Sequence, residues 1–349
     1  MMKVLILCGG QSPEHEISLR SARNVVKALD TSRFEPFLIG INHSGKWIHF
    51  PQIPVGHHLT DGDEVAIIPG SPTIFKSSTL TFTPDVVFPV LHGPNGEDGA
   101  MQGLLQLLNL PYIGPNILGS AVAMDKDVAK SLMIQAGVKV ARGKMLTPFS
   151  EDTYESLSAE LGDILFVKPA NMGSSVGVHK VRNAAHFDSA LKDAFQYDRK
   201  VIVEEMIMGR ELECAVLGFD DHIKVTYPGE IGAEEEYSFD EKYSESSVTK
   251  LDIPALNLTN SQVEELKSTA IKAFRALNCE IMSRVDMFMT PSGDIYVNEI
   301  NTLPGFTNIS MYPALWGNEG LSYSDLLTEL IDLAKKRHEF IRGLKKTRL

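Results

Sequence analysis

At 349 residues the chain is long enough for two or three domains, and 43% apolar residues is the content of an ordinary globular protein. No apolar run approaches the roughly 20 residues of a membrane helix, and residues 4–8 (VLILC) are too short for a secretory leader, so a cytoplasmic protein without a membrane segment is expected. The net charge of −12 argues against a general nucleic-acid surface, and Cys8, Cys214 and Cys279 are too scattered for a disulfide frame or a zinc set.

The first third alternates strand and helix patterns. Residues 3–8 form a strand ending in Gly9-Gly10, residues 17–29 have helical spacing, and residues 34–41 and 85–91 are further strands. The last runs into HGPNGEDG (residues 92–99) and a helix to about Leu108. This alternation predicts an α/β fold with a parallel sheet and ligand loops at the carboxyl ends of its strands. Gly9-Gly10 does not complete the dinucleotide fingerprint, which disfavours a nicotinamide enzyme. In the first loop Glu16 could hold a substrate ammonium. In the second, His92 could be a metal ligand, a base or a hydrogen-bonded structural histidine.

From about residue 121 the pattern changes. Lys126 and Lys130 share one helix face, suited to phosphate or simply to solvent. A β-rich block follows at residues 164–168, 177–181, 201–206 and 211–219. Its first loop, KPANMGSSVG (residues 168–177), offers two glycines, Ser174 and Ser175 as donors to a phosphate, although an ordinary glycine-rich hairpin has the same composition. Lys168 caps an apolar strand and calls for an anionic partner if buried. Glu204 and Glu205 could accept from a nucleobase amine and a ribose hydroxyl, or face solvent; Glu211 begins the next strand. Residues 227–247 read as an exposed loop, and residues 335–348 as the solvated basic end of a terminal helix.

Residues 283–290 and 295–301 flank PSGD, the signature of a β-hairpin. Counting outward from a turn centred on Ser292-Gly293 sets Asp286 opposite Glu299 and Arg284 opposite Asn301, all on one face. Like charges so placed destabilise a sheet, so either this is an exposed polar face of an amphipathic hairpin or a cation sits between them; Mg²⁺ on Asp286, Glu299 and Asn301 would fit. Without metal, Asp286→Asn or Glu299→Gln is then expected to leave the hairpin as stable as before, or more so. Beyond it, Gly305 offers an unobstructed backbone donor and Ser310 a hydroxyl, an arrangement suited to an oxyanion as well as to a plain turn.

The segments GGQSPEHEIS, LHGPNGEDG, MDKDVAK, VKPANMGSSVG, VEEMIMGRELE, DEKYS and RVDMFM with VNEINTLPGFTNISMYP span nearly the whole chain. In this order they resemble D-alanine–D-alanine ligases of the ATP-grasp superfamily. The resemblance implies a Rossmann-like substrate-binding domain (residues 1–122) and a two-part ATP-grasp fold (residues 123–222 and 223–349). It further implies a homodimer that joins two D-alanines with ATP, through a D-alanyl phosphate, for peptidoglycan precursors. By matching positions, Glu16 and His92 would serve the first substrate, and Ser174 would orient the loop of Tyr243. Lys130, Lys168, Ser175 and Lys242 would contact phosphates. Glu204, Glu205, Glu211 and the Ile207 backbone would surround adenosine, and Asp286, Glu299 and Asn301 would hold two Mg²⁺, or Mn²⁺. Arg284 and the Gly305 amide would stabilise the oxyanion; Ser310 and Met311 would hold the second carboxylate. Some relatives carry an acid where this chain has Met172, so closure of the Tyr243 loop would rely on Ser174. Tyr243 resembles the dipeptide-forming branch, leaving a D-alanyl-D-lactate or D-alanyl-D-serine ligase as the nearest alternatives. A nucleotide-binding regulator without turnover is opposed by intact Arg284, Glu299 and Asn301.

Overall fold

The computed structural model describes residues 1–51, 59, 62–71, 73–232 and 251–345. Strands β1 (Met2–Gly9), β2 (Phe34–Ile41), β3 (Trp47–Phe50) and β4 (Asp63–Glu64) precede a small antiparallel meander of β5 (Ala66–Ile67), β6 (Phe75–Lys76) and β7 (Thr81–Phe82), and then β8 (Val86–Pro89). The amino-terminal sheet runs β4-β3-β2-β1-β8, with β1 parallel to both β2 and β8. The unbroken apolar run of β1 follows from burial on both faces. Val4, Ile6 and Cys8 pack on Leu19, Ala22 and Val25 of α1 (His15–Ala28). Leu5 and Leu7 pack on the meander and on Leu105 of α2 (Ala100–Leu107).

Next come α3 (Ile117–Met124), α4 (Lys126–Gln135), β9 (Gly143–Leu146), α5 (Tyr154–Leu161), β10 (Leu165–Pro169), β11 (His179–Val181), α6 (Ala184–Ala194) and β12 (Val201–Glu205). The antiparallel sheet β11-β10-β12-β9 buries Leu165, Val167, Val201 and Val203 against α5 and α6. Strand alternation then turns Lys168 and Glu204 to the opposite face.

The last part comprises β13 (Arg210–Phe219), β14 (His222–Val225), β15 (Gly229–Ile231), β16 (Leu251–Asp252), α7 (Asn260–Ala276), β17 (Ile281–Met289), β18 (Ile295–Asn301), α8 (Met311–Asn318) and α9 (Tyr323–Gly343). Its sheet runs β16-β15-β13-β17-β18, with β14 also on β13. The expected boundary at 122/123 falls inside α3, and that at 222/223 inside β14. β13 pairs with β17 along nearly its whole length, from Arg210↔Met289 to Gly218↔Ile281, so residues before 222 share a sheet with the β17–β18 hairpin. The expected loop at 227–247 opens with β15 instead; Lys242 and Tyr243 lie outside the described residues.

The basic end of the chain is not simply solvated. Arg337 of α9 is buried and donates to the carbonyls of Gly114 (2.6 Å) and Tyr112 (2.7 Å). It also pairs with Glu280 at 3.3 Å and lies over the Tyr112 ring. It thus ties the terminal helix to the amino-terminal part. Arg337→Met keeps the apolar stem but strands two buried carbonyls and a carboxylate. We expect a loss of about 3 kcal/mol, read as a lower denaturant midpoint. Among the described residues no helix is long and apolar enough to cross a membrane.

Candidate active site

The hairpin has the expected pairs near its open end, Asp286↔Glu299 and Arg284↔Asn301, but for a reason that counting missed. Closer to the turn the register is shifted by one, with Met287↔Val297 and Met289↔Ile295. The turn closes through Thr290 N–H to Asp294 O (2.9 Å), with Gly293 left-handed at φ +89°. This is a three-residue loop rather than a two-residue one. A β-bulge at Asn298 takes up the odd residue and restores the count. It also lets Val297 and Ile300, an odd spacing apart, enter the same core. Without the bulge, Glu299 would turn away from Asp286.

The third strand completes a row that the sequence reading missed: Glu213 of β13 is opposite Asp286, so Glu213, Asp286 and Glu299 align across β13, β17 and β18. The alternation Glu211, Glu213 was its sequence signal. Two cations already face this row. Arg284 makes two bonds to Asp286 (2.7 and 2.6 Å) and pairs with Glu213 at 2.9 Å. Lys126 reaches Glu299 at 3.2 Å and donates to Met172 O at 2.7 Å. The opposed acids are therefore compensated by protein cations, and the expectation that removing one would relieve the hairpin does not hold. Asn301 Oδ1 is buried without a hydrogen-bond partner among the described residues. An orphaned carbonyl oxygen beside two carboxylates is a donor set suited to Mg²⁺ or Mn²⁺.

These groups line a cavity of about 410 Å³ whose wall includes Glu14, Glu97, Ser174, Glu211, Gly305, Ser310 and Met311. Glu14, not Glu16, faces it. The helix α1 begins at His15, which leaves Glu14 at the N-cap position, where its carboxylate accepts from the Ser174 hydroxyl. Glu16, one residue into the helix, lies with His15 and His43 instead. Helix geometry separates neighbours by about 100°, and two glutamates at this loop left the choice open to sequence. Gly93 is left-handed (φ +72°), and a Cβ there would stand 2.6 Å from Glu14 Oε2.

Glu97 accepts from the amides of Gly93 (2.7 Å) and Leu303 (3.0 Å). Burial and then the nearby Glu14 charge push its pKa upward. His92 is a hydrogen-bonded buried histidine. Its Nδ1–H donates to Leu303 O (2.9 Å), and Nε2 lies 3.4 Å from Ser21 Oγ. With Phe306 N–H donating to Ser21 Oγ (3.1 Å), these contacts fasten the Gly305 loop to the amino-terminal part. Burial, with a lesser contribution from Arg284, lowers the His92 pKa to about 4, against an opposing pull from its bond to Leu303. The unfolded chain therefore takes up the proton first. Neutral His92 contributes fully above pH 6.5, and the contribution is lost as the pH falls through about 4, roughly 3 kcal/mol in all. His92→Asn, whose amide can still reach Leu303 O, is expected to flatten the stability difference between pH 7 and pH 4 by about that amount, measured by urea unfolding.

Two consecutive serines, Ser174 and Ser175, sit in the left-handed region at φ +52° and +61°. Such strain collects at ligand-binding loops. Behind the loop, buried Glu204 bridges Lys130 and Lys168, each at 2.7 Å, and Lys168 also reaches Asn298 Oδ1 at 3.4 Å. Burial works to raise the Glu204 pKa, but the two ammonium groups prevail and hold it low. Burial lowers that of Lys130 against the pull of Glu204. Glu205 is held by Arg142 through its backbone N–H (2.8 Å) and its guanidinium (2.6 Å). Ile207 follows β12 half-buried, and Glu211 projects into the cavity from β13. Ser310 Oγ accepts from Thr307 N–H (2.9 Å), and a Cβ on Gly305 would stand 2.8 Å from it. Buried Met311 opens α8. All three cysteines are buried and reduced, and burial raises their pKa values, that of Cys8 to about 12.

Comparison with known proteins places the chain in a family. The family profile described as D-ala D-ala ligase N-terminus matches residues 3–115, and that described as D-ala D-ala ligase C-terminus matches residues 132–332. A D-alanine–D-alanine ligase of Oceanobacillus iheyensis is 45% identical, covering 99% of this chain and 98% of the relative. The structure of the D-alanine-D-alanine ligase from Coxiella burnetii superposes with a TM-score of 0.86 at 38% identity, over 98% of this chain and 97% of that one. The Bacillus anthracis enzyme complexed with ATP superposes with a TM-score of 0.75 at 25% identity, over 98% and 100% of the two chains. The chain belongs to the D-alanine–D-alanine ligase family and has its ATP-grasp fold.

Proposed function

We propose that the cavity joins two D-alanines with ATP. The observation that carries this is convergence: Glu14 from the loop after β1, Ser174 from the loop after β10 and the Gly305 loop after β18 meet at one row of carboxylates. In this reading Glu14 takes the first ammonium, and Arg284 with the Gly305 amide faces the carboxyl that is phosphorylated by ATP, ADP leaving. The second amine then attacks the D-alanyl phosphate carbon, the oxyanion collapses, and phosphate and a proton depart. Arg284 and Gly305 act where negative charge develops. Ser310 and the free N–H groups at the start of α8 hold the second carboxylate. Asp286, Glu299 and Asn301 hold two Mg²⁺ or Mn²⁺, which when bound neutralise charge on the phosphates and the transferred group.

Lys168, Lys130, Ser175 and Lys242 contact phosphates, with Glu204 keeping the first two in place. Glu205, Ile207 and Glu211 surround adenosine, and Tyr243 acts with Ser174 on the substrates. His92 holds the Gly305 loop rather than a metal. The setting is the cytoplasm, the protein a homodimer and the product a peptidoglycan precursor. ADP release that requires both D-alanine and Mg²⁺, with D-alanyl-D-alanine identified by mass, is the expected result. Absence of D-alanine-dependent ADP release from folded protein excludes the reading. A product made preferentially with D-lactate or D-serine replaces the second substrate only.

A further inference from the structure

On the far side of the Glu14 loop, one nitrogen of His15, one of His43 and a carboxylate oxygen of Glu16 all lie within 4.8 Å of one another. None of them lines the ligase cavity. From this cluster we infer a second metal site, for a transition ion of the zinc class. Two imidazoles and one carboxylate suit Zn²⁺ and its neighbours; Mg²⁺ prefers oxygen alone.

The cluster is prepared for an ion beyond the presence of suitable residues. His15 is buried, and its Nδ1 lies 2.7 Å from Gly10 O. A carbonyl can only accept, so Nδ1 carries a proton, which makes Nε2 the metal-binding nitrogen of this ring. Fixing of one ring nitrogen by a carbonyl is the usual second-sphere support of a metal-bound histidine. His43 comes from a neighbouring strand end, in a turn closed by Asn42, whose side chain accepts from the amides of Ser44 (3.0 Å) and Lys46 (2.9 Å). Gln11 reaches across to His43 O at 3.3 Å. The two rings now stack, with centroids 4.0 Å apart. Shortening the ligand distances to the ~2 Å of Zn–N bonds needs a turn of the exposed His43 ring and extension of Glu16. Three protein ligands leave one position for water. Because Gly9 pairs with Ile41 in the β1–β2 ladder, a bound ion would staple the carboxyl ends of β1 and β2 directly behind Glu14.

The test uses the full-length, tag-free protein, stripped with a chelator and kept in excess Mg²⁺ to occupy the acid row. Zn²⁺ is titrated against a chromophoric chelator, and Co²⁺ is added for its visible spectrum. One Zn²⁺ per chain, a tetrahedral-type Co²⁺ spectrum and a Zn²⁺-dependent rise in Tm are expected. His43→Ala, at an exposed position that leaves the fold intact, and Glu16→Gln should each weaken Zn²⁺ at least about 100-fold, since loss of a mere supporting partner costs 10–100-fold. No Zn²⁺ binding in the presence of Mg²⁺ overturns the site. So does binding that survives both substitutions, or that is lost only with Asp286→Asn, which would put the ion on the acid row.

Discussion

Glu14→Gln is expected to lower kcat/KM for D-alanine by about 10²–10³-fold, the effect of removing one member of a buried, hydrogen-bonded charge pair. Glu16→Gln, measured with chelated transition metals, is expected to stay within a few-fold of the parent. The two carboxylates are separated by a single residue, but only Glu14 borders the cavity and accepts from Ser174. Gln at position 14 can still accept that bond, so the loss would report the missing charge rather than a collapsed loop. D-alanine-dependent ADP release by both variants checks this. A large loss at Glu16 with Glu14→Gln near normal would return the ammonium to Glu16.

The second large effect concerns the acid row. Asp286→Asn and Glu299→Gln are each expected to cut turnover by at least about 10³-fold, because each removes charge that must stabilise phosphoryl transfer. Stability in the absence of metal should also fall, by about 1–3 kcal/mol for Asp286→Asn, which loses the two-bond contact with Arg284. Like charges alone would favour the opposite sign. The difference arises because Arg284 and Lys126 already face the acids, from the same strand and from the start of α4. Thermal unfolding with and without Mg²⁺ separates the two effects: the parent should gain stability from Mg²⁺ and the variants should gain little. A variant that turns over normally would remove the metal from these residues.

Arg284 also meets Glu213 at 2.9 Å, so two carboxylates hold its guanidinium beside the acid row.

Much of this protein was legible from local pattern. The apolar run of β1, the strand-loop-helix alternation, the PSGD hairpin and the ordered motifs are set by residues close in sequence, whose backbone preferences and periodicity need no distant partner. The Asp286–Glu299 pair was found that way too, although a three-residue turn and a bulge at Asn298 were needed to produce it. What depended on contacts between distant segments was less accessible. Glu213 enters the acid row only because β13 lies beside β17 in one particular register. His92 became a clamp on Leu303, Arg337 a buried tie to Tyr112 and Gly114, and Glu204 a bridge between two lysines. Sequence alone determined which chemical groups the chain has and which local elements carry them. The tertiary structure decided which carboxylate borders the cavity and which charges are paired, because burial and Coulomb attraction depend on distances through space that spacing along the chain does not fix.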